Sequence, residues 1–298
     1  MAQWMGKVDF ELQPLADYVL ERIKQGERVF ADETTLPTLA PGSGKTQKAW
    51  LWAYARDDRP FGRTSPPMVA YRFEDSRSGD CVACHLAGFT GILQVDGYAA
   101  YTQLAKSKAG SNEVMALAGC WAHLRRRFYE LHTTAVRKLR RRRSRRWPSS
   151  GRLKRRSAAA ILPDVSRRDR SAAIVADLFK LWETELPRIS GKSKLAEAIR
   201  YATSRREALG RFLLDGRVEI DSNIVERAIR PQTITRKNAL FAGSDGGGRT
   251  WATVATLLQT AKMNDVDPFA WLTQTLERVA NRWPISQIEN LMPWNYKA

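Results

Sequence analysis

IDSNIVERAIRP, residues 220–231, is the stretch from which the fold and the chemistry of this chain can best be read. Its polar residues recur three or four positions apart, while apolar residues line the opposite side, as in an amphipathic helix. The polar stripe consists of Asn223, Glu226, Arg227 and Arg230. Asp221 is placed to cap this helix, and Pro231 is expected to end it. The stretch predicts a helix that presents a carboxylate beside two guanidinium groups, although a solvated helix of ion pairs has the same pattern.

Two further acids stand where short apolar strands are expected to end. Asp32 closes the run 28–32, and Asp96 closes the run 91–96. A break follows each of them, at Glu33-Thr34-Thr35 and at Gly97-Tyr98. Singly, either acid could be a turn residue or a helix cap. Together with Glu226, they predict an all-oxygen site for Mg²⁺ or Mn²⁺, in the arrangement of a two-metal centre for phosphoryl transfer.

Length and composition narrow the class of protein. A chain of 298 residues can bury one large core or two small ones. No signal peptide or long apolar run is recognised in this sequence, which predicts a cytosolic protein. Three cysteines without a secretory context predict thiols and not a disulfide framework. The formal net charge of +18 favours a polyanionic partner.

The order of the remaining elements predicts an α/β fold with an RNase H-like mixed sheet of five strands. A helical lead-in (1–26) precedes the first part of the core (27–131), whose strands are expected near 28–32, 50–55, 68–73, 91–96 and 114–120. Helices are expected over 76–87, 98–107 and 121–131. An all-α insertion (132–205) then interrupts the core. The chain returns to the core with the Glu226 helix (206–250) and ends in two helices (251–298).

Four motifs in this sequence resemble those of the insertion sequence 66 family of bacterial DDE transposases. They are FADET (30–34), LQVDGYAAY (93–101), CWAHLRR (120–126) and RKNALFAGS (236–244). The resemblance covers 1–131 and 172–298. The family's Asp-Asn-Asn-x-x-Glu-Arg motif stands here as Asp221-Ser222-Asn223 followed by Glu226-Arg227, so that serine replaces one asparagine.

The resemblance implies a function as well as a fold. It places the three catalytic, metal-binding acids at Asp32, Asp96 and Glu226, and it implies two divalent ions that assist strand cleavage and strand transfer on DNA. It also implies homo-oligomers that hold transposon ends and target DNA, in the cytoplasm and on the nucleoid. Six cations are candidate phosphate contacts. They are Arg125, Arg126, Arg227, Arg230, Arg236 and Lys237.

Several cysteine, histidine and glycine patterns admit other interpretations. Cys120 and His123 resemble a pair that follows the last core strand in several DDE families, and a structural hydrogen bond explains the pair better than zinc does. Zinc held by Cys81, Cys84, Cys120 and His123 stays open. The string Cys81–His85 matches a haem-attachment motif, and PGSGKT (41–46) mimics a phosphate loop. Neither has the sequence context that its function needs.

The segment 133–171 departs from the family's acidic, leucine-rich helices. Between Thr133 and Arg170 there are 15 Lys and Arg and two Asp, which is most of the chain's net charge. A basic arm for DNA is one interpretation. A shifted reading frame is the other, because 146–165 can be encoded by DNA whose next frame specifies an acidic amphipathic helix. Such a basic replacement is expected to be disordered.

Three functions are compatible with these patterns. The first is a transposase catalytic domain, complete or as a truncated and inactive copy, because upstream regions for end recognition and dimerisation are expected in the family. The second is a catalytically dead remnant that binds DNA through charge. The third is an RNase H-like nuclease without strand transfer. Metal-dependent nicking separates the second from the others, and joining of a 3′-hydroxyl end separates the first from the third.

Overall fold

A mixed five-stranded sheet with flanking helices forms the framework of the chain, in a computed structural model that describes residues 2–109, 114–139 and 165–297. The strands are β1 (Arg28–Thr35), β2 (Thr38–Ala40), β3 (Lys45–Gln47), β4 (Trp50–Arg56), β5 (Met68–Glu74), β6 (Gly91–Val95) and β7 (Met115–Gly119). The sheet has the order β5-β4-β1-β6-β7, and β2 and β3 form a separate hairpin. The pairs β1/β4 and β4/β5 are antiparallel.

Helices precede, connect and follow these strands. They are α1 (Ala2–Lys24), α2 (Gly79–His85), α3 (Ala99–Ser107), α4 (Trp121–Leu139), α5 (Val165–Glu185), α6 (Lys194–Thr203), α7 (Arg206–Leu214), α8 (Asn223–Ala239), α9 (Asp245–Met263) and α10 (Pro268–Ala280). Short 3₁₀ turns lie at Arg59–Phe61, Leu186–Arg188, Ile285–Leu291 and Pro293–Asn295. Among the described residues, no helix is both long and apolar enough to cross a membrane.

The chain divides into two compact units. The first comprises Met1–Leu93, Tyr98–Met115 and Asn223–Ala298, and the second comprises Gln94–Gly97 and Ala116–Ser222. The prediction of an α/β fold with a mixed five-stranded sheet is confirmed. The prediction that β1 ends at Asp32 is wrong, because Glu33, Thr34 and Thr35 continue the ladder opposite Trp52, Leu51 and Trp50. Asp32 therefore lies inside a strand and not at its end.

Strand register assigns each side chain of the first unit to one face of the sheet, because successive residues of a strand point to opposite faces. One face carries the paired row of Phe30, Ala55 and Val69 and the row of Asp32, Ala53 and Tyr71. The apolar members of these rows pack with Ile224, Val225, Ala228 and Ile229 of α8 in one buried cluster. The opposite face carries Trp52 and Tyr54, which contact His85 of α2.

The edge strand β5 is covered by α9 through two threonine hydroxyls. Tyr71 N donates to Thr256 Oγ1 at 2.8 Å, and Val69 N donates to Thr260 Oγ1 at 3.2 Å. Thr260 also donates to the Val69 carbonyl at 3.0 Å. Unpaired amides on an edge strand invite pairing with another chain. The threonines satisfy these groups and fix α9 against the sheet.

The helices of the second unit pack around aromatic rings. Phe128 of α4 stacks on Trp182 of α5 with ring centroids 5.3 Å apart, and Phe179 meets Trp182 edge to face at 5.2 Å. Ile199 of α6 and Leu209 of α7 complete this buried cluster. Of the segment 133–171, residues 133–139 belong to α4 and 165–171 belong to α5. The central part, on which the predictions of a frameshift and of disorder rest, lies outside the described residues.

The glycine-rich string 41–46 lies in the hairpin of β2 and β3. Leu39 pairs with Thr46, and Ala40 pairs with Lys45. Lys45 and Thr46 thus belong to a strand, whereas a phosphate loop needs them to open a helix. Parallel pairing of Thr38 with Ala242 holds the hairpin beside the segment that precedes α9. The sequence did not predict this hairpin.

Candidate active site

Asp32 faces α8 in the first unit. Its neighbours at two-residue spacing share its face of β1, and Phe30 is one of them. Phe30 packs in the same buried cluster as Ile224 and Ala228 of α8. Asp32 Oδ1 accepts a hydrogen bond from the Glu33 amide at 2.9 Å, which orients the Asp32 carboxylate along its own strand. The strand register therefore places a carboxylate on the sheet face that α8 covers.

Glu226 stands in the first turn of α8, between residues that are buried against the sheet. Val225 is fully buried and Ala228 is 2% exposed, whereas Glu226 itself is half-buried. α8 packs on β1 and β4, and the Tyr71 hydroxyl donates to the Ala228 carbonyl at 2.5 Å. Tyr71 belongs to the same cross-strand row as Asp32. The structure thus packs α8, the helix that contains Glu226, against the sheet face that carries Asp32 in the first unit.

The course of α8 corrects two predictions about its ends. The helix begins at Asn223, so that Ser222 and not Asp221 directly precedes it. Pro231 lies inside the helix, which continues to Ala239. A proline lacks the N–H that would bond the carbonyl four residues earlier, but it does not end a helix that tertiary contacts hold on both sides. Tyr71 provides such a contact before Pro231.

Arg236 provides the contact after Pro231. Its Nη1 lies 3.0 Å from Thr34 Oγ1 and 2.9 Å from Thr35 Oγ1, and it also donates to the Thr35 carbonyl. This guanidinium, which the sequence suggested as a phosphate contact, fastens the last turns of α8 to the end of β1. Three other predicted phosphate contacts on α8 are exposed. They are Arg227, Arg230 and Lys237.

Asp96 belongs to the second unit and directly follows β6, as predicted. The Tyr201 hydroxyl donates to the Asp96 carbonyl, and Arg205 Nη2 donates to the Gly97 carbonyl at 2.8 Å. Gly97 has φ +101°, a conformation that side chains disfavour, and a Cβ there would lie 2.5 Å from Arg205 Nε. Burial, followed by the charge of Asp96, raises the pKa of Tyr201. The turn is therefore braced by side chains from the helical part of its own unit.

The Cys-x-x-His pair also lies in the second unit, at the start of α4. Cys120 is buried, and its Sγ accepts a hydrogen bond from the Ser222 amide at 3.3 Å. This contact agrees with a structural role for Cys120. His123 is half-buried one turn further on, followed by the exposed Arg125 and Arg126. Asn223, the other residue of the predicted motif set, is exposed at the start of α8 in the first unit.

The segment Cys81–His85 of α2, which matches a haem-attachment motif, has a structural role in the first unit. His85 Nδ1 lies 2.9 Å from the Tyr54 hydroxyl, and its Nε2 lies 2.9 Å from Glu74 Oε1. Both ring nitrogens are therefore engaged by protein groups. Burial lowers the pKa of His85, which favours the neutral ring. Cys81 and Cys84 lie on the same short helix with reduced thiols.

Three residues that sequence reasoning missed hold the predicted acids or their neighbours in place. The side chain of Glu33, beside Asp32, is buried and forms an ion pair with Arg77. Tyr201 and Arg205 hold the Asp96 turn. Glu33 could have been noticed because it belongs to the FADET motif. Because successive side chains of a strand alternate, it lies on the sheet face opposite to that of Asp32. Tyr201 and Arg205 carry no local signal, because more than 100 residues separate them from the turn that they brace.

The donor chemistry of the candidate residues suits a hard divalent cation. Asp32 and Glu226 offer carboxylate oxygens in the first unit, and Asp96 offers one at a turn of the second unit. Mg²⁺ and Mn²⁺ prefer oxygen ligands, and carboxylates that keep water molecules on the ion are common in phosphoryl-transfer sites. The side chains thus fit the group that the sequence predicted.

Comparison with known proteins identifies the family. The model of the transposase IS66 family matches residues 1–250, and that of the IS66 C-terminal element matches residues 256–294. Uncharacterized protein y4qI of Sinorhizobium fredii is 70% identical over 303 residues, covering 100% of this chain and 56% of its own length. Uncharacterized protein y4jD of the same organism is 40% identical over 314 residues, covering 99% and 58%. The chain thus spans little more than half the length of these relatives. With both family models matched along nearly its whole length, the chain belongs to the IS66 family of transposases.

Proposed function

We propose that this chain contains the catalytic domain of a DDE transposase, with Asp32, Asp96 and Glu226 as its catalytic carboxylates. The observation that supports the proposal is the packing of α8, the helix that contains Glu226, against the sheet face to which the register of β1 assigns Asp32. Asp96 enters through its motif and its position directly after β6. The strand order, with β1 at the centre and β4 and β5 antiparallel beside it, supports an RNase H-like core.

The proposed reaction is strand cleavage at the transposon end, followed by transfer of the new 3′-hydroxyl end to target DNA. Two bound Mg²⁺ or Mn²⁺ ions would lower the pKa of the attacking hydroxyl and neutralise charge on the phosphate. The three carboxylates would supply oxygen ligands to these ions. Backbone pairing of β1 holds Asp32 in position, and the braced turn holds Asp96. No covalent link between protein and DNA is needed.

The exposed cations of α8 are suited to position the DNA. Arg227, Arg230 and Lys237 can contact phosphates without breaking a contact inside the protein. Arg125 and Arg126 on α4 are exposed in the second unit and are proposed for the same use. The part of the chain predicted as an insertion, 132–205, is proposed to support the Asp96 turn through Tyr201 and Arg205. Pairing of two transposon ends implies more than one copy of the protein on DNA.

Metal-dependent nicking of DNA that carries the ends of the encoding element tests this proposal. Asp32→Asn, Asp96→Asn and Glu226→Gln should each slow nicking by about 100-fold or more, because each removes a preorganised charge. Asp75→Asn and Glu277→Gln are matched controls, since both acids are exposed and lie outside the candidate set. Thermal unfolding should show that all five variants fold.

The outcomes separate the three candidate functions. Nicking followed by joining of a 3′-hydroxyl end supports a transposase. Nicking without joining indicates an RNase H-like nuclease. DNA binding without nicking, in Mg²⁺ and in Mn²⁺, indicates a catalytically inactive remnant. Equal activity of Asp32→Asn and Asp75→Asn would remove Asp32 from the site.

A further inference from the structure

A group of cations and aromatic rings lies at the end of the sheet where β1 ends and β4 begins. The group, here named the Trp50 platform, consists of Lys48, Trp50, Arg77 and Tyr98, all in the first unit. Lys48 Nζ lies 4.6 Å from the ring centroid of Trp50. Arg77 Cζ lies 4.7 Å from the Trp50 centroid and 3.9 Å from that of Tyr98. Two cations and two rings thus share one small surface.

The platform is rigidly supported from below. Arg77 Nε and Nη2 both donate to Glu33 Oε1, and the Glu33 side chain is only 2% exposed. The Tyr101 hydroxyl donates to Glu33 Oε2 at 3.3 Å, and the Tyr98 hydroxyl donates to the Arg77 carbonyl. Such support fixes a guanidinium and its rings before any ligand arrives, which lowers the entropic cost of binding.

The upper side of the platform remains accessible. The Arg77 side chain is 37% exposed, Lys48 is exposed and Trp50 is half-buried. Among the residues that the structure describes, Lys48 contacts the Trp50 ring and has no acidic partner. Here the positive charge and part of the ring face solvent together.

The position of the platform relates it to Asp32. Trp50 pairs with Thr35, three residues along β1 from Asp32, which is about 10 Å at the usual rise of a strand. Glu33 and Trp50 lie on the sheet face opposite to that of Asp32, because side chains alternate along a strand. A nucleic acid strand that passes over this end of the sheet could reach Asp32 on one side and the platform on the other.

We propose that the Trp50 platform binds a DNA strand with unpaired bases: the exposed Lys48 ammonium leaves the Trp50 ring, a base stacks in its place, and Lys48 and Arg77 contact the phosphates of that strand. The proposal rests on the proposed function only for the choice of DNA as the partner. Aromatic rings combined with cations are the usual means of binding single strands, because every base has a face that can stack. Bases within a duplex are already stacked on each other, so an intact duplex cannot use the ring.

Binding of a fluorescent single-stranded oligothymidine, followed by anisotropy in EDTA, tests the proposal. The full chain is used at about 200 mM salt, because the arginine-rich segment would dominate binding at low salt. Trp50→Ala should weaken binding about tenfold, and Trp50→Phe should retain most of it. Lys48→Ala should make the dependence of log K on log salt shallower by about 0.7, the value for one phosphate contact with a single strand.

Matched variants control for general effects. Trp283→Ala removes another half-buried tryptophan with an arginine 5.1 Å from its ring, and Lys192→Ala removes an exposed lysine of the second unit. Both should bind like the unchanged chain. Thermal melting identifies a Trp50→Ala protein that fails to fold, and in that case Trp50→Phe and Lys48→Ala decide the matter.

Two results would overturn the proposal. One is that Trp50→Ala binds single strands as tightly as Trp283→Ala does. If Trp50→Ala does not fold, the corresponding result is that Lys48→Ala binds them as tightly as Lys192→Ala does. The other is that Trp50→Ala weakens the binding of duplex and of single-stranded DNA equally, because the ring would then make no contact that is specific to unpaired bases. Because EDTA excludes metal-dependent cleavage, a failure of the platform is distinct from a failure of the catalytic proposal. An Asp32→Asn chain that binds single strands normally but does not nick DNA supports both.

Discussion

Asp32 and Asp96 are held in place by different means. Asp32 lies inside β1, where backbone pairing with β4 continues for three residues beyond it. Asp96 lies after β6, in a turn whose carbonyls accept hydrogen bonds from Tyr201 and Arg205. The first acid is thus positioned by a ladder of main-chain bonds in the first unit. The second depends on two side chains that belong to the helical part of the second unit.

This difference predicts how each acid responds to changes nearby. A ladder of backbone bonds tolerates substitution of single side chains, because the main chain supplies the bonds. A turn braced by two side chains loses its geometry when either brace is removed. Catalysis is sensitive to displacements of about 1 Å, so the Asp96 turn should be the more vulnerable of the two regions.

Gly97→Ala should have the largest effect. Its Cβ would lie 2.5 Å from Arg205 Nε and 2.7 Å from Tyr201 Oη, and φ is +101°. The two side chains can move away, but they then lose their hydrogen bonds to the turn. Unfolding free energy should fall by about 3 kcal/mol, from backbone strain together with the lost bonds, and nicking should be abolished.

Gly62→Ala separates backbone strain from collision. Gly62 has φ +72°, but nothing lies within 4 Å of a Cβ at that position. Chemical denaturation should show a loss of about 1 kcal/mol for Gly62→Ala, with nicking retained. If both variants lose equal stability and activity, the brace contributes nothing and the comparison between the two acids fails.

The elements could be predicted from the sequence more completely than the contacts between them. The apolar runs of β4, β5, β6 and β7 and the helical periodicities of α1, α3, α8 and α10 each have a local signature. The motif around Asp96 also correctly marked the end of β6. These features depend on residues that are neighbours in the sequence, so local patterns suffice.

The remaining features depend on distant partners. β1 continues past Asp32 because β4 pairs with Thr34 and Thr35, and α8 continues past Pro231 because Tyr71 and Arg236 hold it on both sides. No local rule contains these contacts, and the local preferences of proline point the other way. Tertiary contacts therefore determine where β1 and α8 end, and local sequence patterns predicted both ends wrongly.

Arg236→Ala should have the next largest effect. It tests how α8 is fastened to β1 in the first unit. The variant loses the contacts of Nη1 with Thr34 and Thr35, which fasten α8 to the end of β1. Unfolding free energy should fall by about 2 kcal/mol, as for hydrogen bonds of a charged donor. Denaturation in guanidinium chloride measures this loss.

Arg230→Ala is the matched control on the same helix, since Arg230 is exposed. Its stability should change by no more than about 0.5 kcal/mol, while the salt dependence of duplex binding becomes shallower by about one phosphate contact. The two arginines should thus show opposite patterns. A stable Arg236→Ala variant with weakened DNA binding would return Arg236 to the role that the sequence first suggested.

Leaving the control variants aside, Tyr201→Phe should have the smallest effect of the three tests, and it isolates one brace of the Asp96 turn. Loss of its hydrogen bond should lower the unfolding free energy by about 1 kcal/mol at pH 7 and slow nicking several-fold. Tyr129→Phe is the control in the same unit, because Tyr129 is 55% exposed. Equal nicking rates for the two variants would show that Arg205 alone is sufficient to hold the turn.

The pH dependence of Tyr201→Phe adds an independent check. Burial and the charge of Asp96 raise the pKa of Tyr201 above 10.0, its value in an unfolded chain. Above pH 10 the unfolded tyrosine ionises before the folded one, so this residue's contribution to stability is lost as pH rises through the folded pKa. Phenylalanine cannot ionise, and the stability gap between Tyr201→Phe and the unchanged chain should therefore narrow above pH 10. A constant gap from pH 8 to 11, measured by urea denaturation, would mean that the hydroxyl is not buried beside Asp96, and the brace would then rest on Arg205.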